Sequence, residues 1–164
     1  LMVAGADAGN QLGSLTVTTP AEAYELLVDL RAKLVRSNTP DEGRFAIVPR
    51  EVYGLLLLDD RFIRADASGT TAGLRNGQVG KAAGFDIIES NRVPEASVDT
   101  DTDTAYTVIA GHSMATTYAE QIANTEALRL ENAFADGVRG LHLFGAKVIR
   151  PKLLATAVVD VDLA

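Results

Sequence analysis

The sequence contains no cysteine. Without cysteine the chain has no disulfide, no thiolate zinc ligand and no cysteine nucleophile. Its apolar runs fall well short of the roughly 18 consecutive residues that a membrane-spanning helix needs. The start, Leu1 to Asp7, also lacks the basic segment that opens a signal peptide. We therefore expect a soluble protein that folds inside a cell and has no membrane partner.

Basic residues are fewer than acidic ones, 15 Lys and Arg against 22 Asp and Glu, so the formal net charge is -7. Strong binding to phosphate backbones depends on clustered Lys and Arg, and this balance disfavours it. Hydrophobic residues make up 47% of the 164 residues, which is close to the average of soluble globular proteins. We expect one domain, or two small lobes that share a core.

The clearest local pattern predicts a helix from about Pro20 to Arg36. Thr19 is suited to the N-cap, Pro20 to the first helical position and Glu22 to the third, which together make a capping box. Apolar residues then recur at helical spacing, at Ala23, Leu26, Leu27, Leu30 and Leu34.

The other segments predict short helices and strands in alternation with turns. A second helix is expected from Pro49 to about Asp60, and a hairpin-like region around the turn dipeptide Asn76-Gly77. Met114 to Leu130 fits either a short helical turn followed by a strand or one continuous helix. Loose or solvent-exposed segments are expected at Leu1–Gly13 and Ser97–Thr104. Strands are expected at Leu15–Thr18, Phe45–Val48, Phe85–Ile88, Tyr106–Ala110, Leu141–Arg150 and Leu153–Val159. Strict βαβ alternation is absent, so the pattern favours the α+β class.

One motif resembles a catalytic one. Gly111-His112-Ser113-Met114-Ala115 follows an apolar strand, as the serine of an α/β-hydrolase nucleophile elbow does, and Asp136 and His142 follow in the order of a triad. The second glycine of the elbow is replaced by alanine, and too few βα units exist to build that fold. A small serine hydrolase using Ser113 stays an alternative of a different class.

Three further patterns are weaker. The segment Gly73 to Lys81 departs twice from a phosphate-binding loop. Asp99, Asp101 and Asp103 imitate half of a calcium loop but lack its glycine and its last glutamate. His112 and His142 are the only histidines, too few for a zinc site without cysteine. We therefore predict no catalytic residue, no metal site and no cofactor.

An ordered set of phrases resembles tailed-phage major capsid proteins. The first is Gly43 to Pro49 leading to Asp60-Arg61-Phe62, and the second runs from Asn76 through Ala83-Gly84-Phe85 to Val93-Pro94. The closing phrases are Ala119-Glu120-Gln121, Phe134-Ala135-Asp136, Gly140 to Val148 and Arg150-Pro151. Together they cover roughly Ala21 to Val159.

This resemblance implies the HK97-like capsid fold, in which a peripheral domain carries a long spine helix and an axial domain surrounds the capsomer axis. On this basis residues 20–48 and 133–164 would form the peripheral domain, with the helix Pro20–Arg36 as the spine. Residues 49–132 would form the axial domain. Residues 1–19 would be a leading segment left from a longer amino-terminal region, so that the family's amino-terminal arm and extended loop are missing.

The resemblance also implies a structural role. The chain would self-assemble into hexamers and pentamers of an icosahedral phage or prophage capsid, made in the bacterial cytoplasm, that encloses DNA without sequence-specific binding. A scaffolding protein is a further candidate partner, and an encapsulin-type compartment shell is the alternative with the same fold. Candidate subunit-interface residues are Arg61, Phe62, Arg64, Asp99, Asp101 and Asp103.

Overall fold

A computed structural model of the chain describes residues 1–59, 80–96, 105–130 and 135–161. The helices in this part are α1 (Met2–Gly5), α2 (Pro20–Arg36) and α3 (Arg50–Leu58). The strands are β1 (Gln11–Val17), β2 (Arg44–Val48), β3 (Lys81–Ala82), β4 (Phe85–Glu89), β5 (Glu95–Ala96), β6 (Ala105–His112), β7 (Thr116–Arg129), β8 (Asp136–Val148) and β9 (Leu154–Val161).

A mixed seven-stranded sheet forms the centre of the fold. Its strand order is β1-β9-β6-β2-β4-β3, and β5 pairs with β6 outside this path. The central strand β6 runs antiparallel to both β9 and β2, whereas β1 is parallel to β9 and β2 is parallel to β4. Helices and strands of both senses thus share one body, and the predicted α+β class is confirmed.

Helix α2 has the predicted bounds and the predicted capping box. The Glu22 carboxylate accepts hydrogen bonds from the backbone amides of Thr18 and Thr19 at 2.8 and 2.9 Å, and the Glu22 amide donates to the Thr19 hydroxyl at 3.4 Å. Donors that the first helical turn leaves unpaired are thereby satisfied. The inner face of the helix buries the predicted residues Ala23, Leu26, Leu27, Leu30 and Leu34.

The hydrophobic core lies between this sheet and the two longer helices. Helix α2 packs against α3 and against β9, and the apolar residues of β6 and β9 face them. Strand β6 is buried along almost its whole length, as expected for the central strand of a covered sheet. The largest fully buried side chains are Phe85, Leu26, Leu27, Leu30, Leu34, Leu56, Leu154, Val48, Val52, Val108 and Val159.

Two segments differ from the prediction. The leading residues Leu1–Gly13 are not loose: they form α1, a 3-10 turn and the start of β1, which is held in the sheet by its pairing with β9. The second helix ends at Leu58 rather than near Asp60, and Pro49 is its N-cap rather than its first residue. Long-range strand pairing, which local sequence does not show, explains the first difference.

The predicted hairpin-like region contains a tight turn at another dipeptide. Strands β3 and β4 are antiparallel and are joined by Ala83 and Gly84, both of which have positive φ angles of 50° and 82°. Positive φ at both central residues is the geometry of a two-residue hairpin. The expected turn at Asn76-Gly77 lies outside the described residues, as does the loop Ser97–Thr104.

Strands β7 and β8 form a second sheet of two strands, which among the described strands pair only with each other. Of the two alternatives for Met114–Leu130, the structure has the first, a 3-10 turn at Ser113–Ala115 followed by β7. The pairing of β7 with β8 crosses residue 132, where the predicted axial and peripheral domains meet. The division into domains stays a prediction, because a single chain contains no capsomer axis by which to assign it.

Candidate assembly surface

The hairpin of β7 and β8 is the most exposed part of the described structure. The two strands pair from Thr116 opposite Val148 to Arg129 opposite Asp136, which at about 3.3 Å per residue makes a ribbon roughly 40 Å long. Nearly every described residue of both strands is solvent-exposed. An isolated two-stranded ribbon is at best marginally stable in water, so the hairpin is suited to a partner.

Large apolar side chains on this hairpin lie in solvent. Ile122 is 74% exposed, Phe144 72% and Val138 77%. Further exposed members of the same set are Tyr118, Leu141 and Leu143. Large apolar side chains in water are costly, and a concentration of them on one element typically marks an interaction site. We call these six residues on β7 and β8 the hairpin surface.

Polar pairs lie both across and along the same hairpin. The Arg139 guanidinium donates to Glu126 Oε2 from Nη2 at 2.7 Å and from Nε at 3.1 Å. Glu120 accepts a 2.8 Å hydrogen bond from the Tyr118 hydroxyl, and this bond raises the pKa of Tyr118. Because these pairs are exposed, each adds little stability, on the order of 0.2–1 kcal/mol. The Arg139–Glu126 pair joins the two strands, whereas the Tyr118–Glu120 pair lies within β7.

The pairing of β7 with β8 is interrupted once, between Ile122 and Asn124, where the register shifts. An extra residue in one strand of an antiparallel pair bends that strand and increases its twist. The shift therefore turns the outer half of the ribbon relative to the half that is attached to the main sheet.

The hairpin is joined to the main sheet without a flexible loop. Strand β6 passes through a 3-10 turn, Ser113–Ala115, into β7, and β8 passes through a second 3-10 turn, Pro151–Leu153, into β9. The carbonyl oxygen of Ala115 accepts from the amides of Ile149 and Arg150 at 2.9 and 3.2 Å. The two turns therefore fix the direction in which the hairpin leaves the sheet.

The first residue at this junction is His112, whose side chain is largely buried. Its Nδ1 accepts from the Met114 amide at 3.1 Å, and its Nε2 lies 2.7 Å from the Glu42 carbonyl oxygen. Both ring nitrogens thus serve to hold the chain at this corner.

The serine triad considered from the sequence is not assembled. Ser113 is exposed at the junction, whereas His142 pairs with Ile122, roughly 20 Å along the ribbon at about 3.3 Å per residue. Asp136 pairs with Arg129 still farther along. The two nitrogens of the adjacent His112 are engaged with backbone atoms. Ser113 therefore has neither the base nor the carboxylate that the triad requires.

A polar groove of about 250 Å³ lies beside the start of α3. Glu51 in its wall accepts a hydrogen bond from Arg50 Nε at 2.7 Å and lies 3.5 Å from the Tyr106 hydroxyl. Burial, and then the charge of Glu51, raises the pKa of Tyr106. Arg50, Glu51 and Tyr106 are thus engaged with one another in the wall of the groove.

Other candidates from the sequence have these outcomes. All six predicted interface residues, Arg61, Phe62, Arg64, Asp99, Asp101 and Asp103, lie outside the described residues, so they stay predictions.

Lys81, the last residue of the segment compared with a phosphate-binding loop, pairs with Asp86 at 3.3 Å. Among the residues that the structure describes, no group of His, Asp and Glu is arranged to hold a metal ion, and no helix is long and apolar enough to span a membrane.

Sequence reasoning did not identify the hairpin surface. Its members do not show a clean alternation of apolar and polar residues, because both faces of the ribbon are exposed and both carry apolar side chains. The available signal was the presence of large apolar residues such as Ile122 and Phe144 in a segment otherwise rich in glycine and charge.

Solved structures of similar fold include structures from two phages and from an encapsulin complex. A structure from Mycobacterium phage Che8 matches with a TM-score of 0.71 and 33% identity over 92% of this chain and 53% of that one. The capsid of Cyanophage P-SCSP1u matches with a TM-score of 0.67 and 16% identity, over 97% of this chain and 55% of that one. The SrpI encapsulin of Synechococcus elongatus matches with a TM-score of 0.54 and 14% identity, over 97% of this chain and 56% of that one.

These matches confirm the predicted HK97-like capsid fold. The chain spans about half the length of each of these solved chains. A search of curated proteins gives no match. The family model described as phage capsid protein matches residues 1–157, nearly the whole sequence. The chain therefore belongs to the phage capsid protein family.

Proposed function

We propose that this chain is a structural subunit of an icosahedral phage or prophage capsid, which assembles with copies of itself into hexamers and pentamers and acts without catalysis. The observation that carries the proposal is the hairpin surface, since it leaves large apolar side chains in water in the single chain. Membership of the capsid family supports the same role.

Assembly completes the hairpin by supplying it with neighbours. A subunit in a closed shell meets its neighbours through edges that symmetry repeats, so its function is spread over surfaces rather than concentrated in a pocket. Contacts with neighbours remove Ile122, Val138 and Phe144 from water, and this burial favours association by roughly 25 cal/mol per Å² of apolar area. The exposed ribbon is therefore stabilised in the shell more than in solution.

The charge of the chain fits a shell around DNA. With a net charge of -7, the protein is poorly suited to bind phosphate backbones tightly or by sequence. The proposed place of the protein is the capsid of the virion, after synthesis in the bacterial cytoplasm. A scaffolding protein is a candidate partner during assembly.

The domain assignment belongs to the same proposal. Residues 20–48 and 133–164 are proposed as peripheral and residues 49–132 as axial, with contacts between subunits at the six interface positions predicted from the sequence. Structure determination of an assembled capsomer tests this division, because only there does the symmetry axis exist.

An encapsulin-type compartment shell is the second candidate function. The likeness to the SrpI encapsulin favours it, although that TM-score of 0.54 is lower than the 0.71 to the structure from phage Che8. The contents of purified particles separate the two: packaged DNA supports the phage capsid, and a packaged protein cargo supports the compartment. Neighbouring genes for a portal or a terminase would also favour the phage capsid.

The assembly proposal is tested by placing charge on the hairpin surface. Ile122→Lys and Phe144→Lys in the natural protein are each expected to lower the yield of particles by roughly tenfold or more, because a lysine at a contact centre leaves a charge to be desolvated. Particles are counted by electron microscopy and sedimentation, and folding is checked by circular dichroism.

Val35→Lys is the matched control, since Val35 is 50% exposed on α2 and lies away from the hairpin. This variant adds the same charge and is expected to assemble as the unmodified protein does. Normal particle yield from both hairpin variants would contradict the role of the hairpin surface. An equal loss in the control would show that added charge alone blocks assembly.

A further inference from the structure

His112 stands at the corner where the main sheet passes into the hairpin. It is the last residue of β6, and its side chain is only 6% exposed. Nδ1 accepts a hydrogen bond from the Met114 amide, which belongs to the 3-10 turn that leads into β7. Nε2 faces the carbonyl oxygen of Glu42 in the loop before β2. One imidazole ring therefore connects two separate segments.

The two contacts define the form of the ring. A backbone amide only donates, so Nδ1 must present a lone pair to Met114. A carbonyl oxygen only accepts, so Nε2 must carry the hydrogen that points to Glu42. These requirements are met together by the neutral ring with its proton on Nε2. The protonated ring carries a hydrogen on both nitrogens, and its Nδ1 hydrogen would be directed at the amide hydrogen of Met114.

The surroundings leave the ring little room to move aside. Gly43 has a φ of 77°, and a Cβ at that position would lie 3.3 Å from His112 Nε2. Across the strand pair, His112 is opposite Arg44, whose guanidinium is held by the Pro40 carbonyl oxygen at 2.7 Å and by Asp41 at 3.0 Å. The loop is thus fixed on one side of the ring.

In the part of the chain that the structure describes, the two ring nitrogens contact backbone atoms and no carboxylate. Arg44 is a cation on the neighbouring strand, directly opposite His112. The nearby carboxylate of Asp41 forms an ion pair with Arg44. Glu42 is exposed, and it contacts the ring through its backbone carbonyl oxygen. The 3-10 turn Pro151–Leu153, which contacts the turn Ser113–Ala115, has the exposed cations Arg150 at its N-cap and Lys152 in its last turn.

We propose that His112 is an acid-sensitive clamp on the junction between the main sheet and the hairpin. While neutral, the ring caps the Ser113–Ala115 turn and ties it to the loop before β2. On protonation the Met114 bond is lost, the turn loosens, and the hairpin gains freedom to change its direction. The proton is taken from solvent water and is returned when the pH rises, so the step is reversible.

The inference concerns a single chain and does not depend on assembly, so its failure is distinct from failure of the capsid proposal. Hydrogen exchange of the Met114 amide and of the first residues of β7 tests it, read by NMR at a series of pH values between pH 8 and pH 5. Protection, corrected for the intrinsic effect of pH, is expected to fall by roughly fivefold to tenfold on acidification, because one buried hydrogen bond is lost.

His112→Asn supplies the matched variant. Its side-chain oxygen can accept from the amide two residues ahead, as asparagine does in turns, but it does not titrate. Protection of Met114 in this variant is expected to stay constant over the same pH range. The chain has two histidines, and the second, His142, lies on the exposed hairpin. His142→Asn is therefore the control, and its Met114 protection is expected to depend on pH as in the unmodified protein.

Two results would overturn the clamp. One is an unchanged protection of Met114 in the unmodified protein from pH 8 to pH 5. The other is loss of the response in His142→Asn, which would assign the effect to the hairpin histidine; this second result decides the matter even if His112→Asn fails to fold.

Discussion

At the scale of single residues, the capping box of α2 makes stability depend on pH. The backbone amides of Thr18 and then Thr19 donate to the Glu22 carboxylate and lower its pKa from an ordinary 4.5 to about 2. A carboxylate whose pKa is lowered by folding stabilises the folded state fully above its unfolded value, and this contribution is lost as the pH falls. The relevant window is therefore from about pH 4.5 down to about pH 2.

We predict that Glu22→Gln lowers the melting temperature at pH 7, and that the difference from the unmodified protein disappears as the pH approaches 2. Thermal denaturation at a series of pH values measures it. Glu25→Gln removes the same charge from an exposed position of the same helix and serves as control. A difference that stays constant down to pH 2 would show that the carboxylate contributes nothing through its charge.

Gly111 is the residue where the core leaves no space for a side chain. A Cβ at this position would lie 2.6 Å from Leu154 Cδ2 and 3.0 Å from the carbonyl oxygen of Leu153. Leu154 is fully buried, so it cannot move aside freely. Gly111→Ala is expected to destabilise the fold by about 1–3 kcal/mol through overpacking, as measured by urea denaturation.

Gly54 provides the opposite case for the same substitution. It lies within α3, and a Cβ there would meet nothing within 4 Å. Gly54→Ala is expected to stabilise the protein by about 0.5–1 kcal/mol, because alanine loses less backbone entropy in a helix. Equal effects of the two substitutions would contradict the packing described around Gly111.

At the scale of elements, α2 could be predicted in full because its signals are local. The cap at Thr19, the proline after it and the spacing of its leucines all lie within the helix itself. Strand β7 could not be decided in the same way, since Thr116–Arg129 contains many good helix formers and is exposed on both faces. Its strand form depends on pairing with β8, which the sequence of β7 alone does not contain.

The candidate sites were predictable only in part, because some of the information is not local. The family and the role followed from ordered phrases along the chain. The hairpin surface depends on two strands that come together, and the junction at His112 depends on a loop 70 residues earlier in the sequence. A lone histidine after a strand carries no sign of either contact.

At the scale of the whole molecule, the hydrophobic core and the hairpin are separate parts of the structure. In the part of the chain that the structure describes, every member of the hydrophobic core lies outside residues 116–148. The strands β6 and β9 pair up to Gly111 opposite Leu154, and the pairing resumes at Thr116 opposite Val148. The body should therefore fold without most of the hairpin, whereas the hairpin contributes little to the core.

This separation predicts the result of a deletion. Thr117 and Lys147 are directly paired, so replacing residues 118–146 by Asn-Gly closes the ribbon with a two-residue turn of favoured type. The shortened protein is expected to melt cooperatively within about 5 °C of the unmodified one, because its core is intact. It is also expected to remain monomeric under conditions in which the natural protein forms particles.

The two measurements on the deletion variant answer different questions. Loss of cooperative melting would mean that the hairpin supports the core and would contradict the separation described here. A cooperative melt together with normal particle formation would mean that the hairpin surface is not required for contacts between subunits. A folded monomer is the expected outcome, since removal of the ribbon takes away the exposed apolar side chains that assembly would bury while it leaves the sheet and its two helices unchanged.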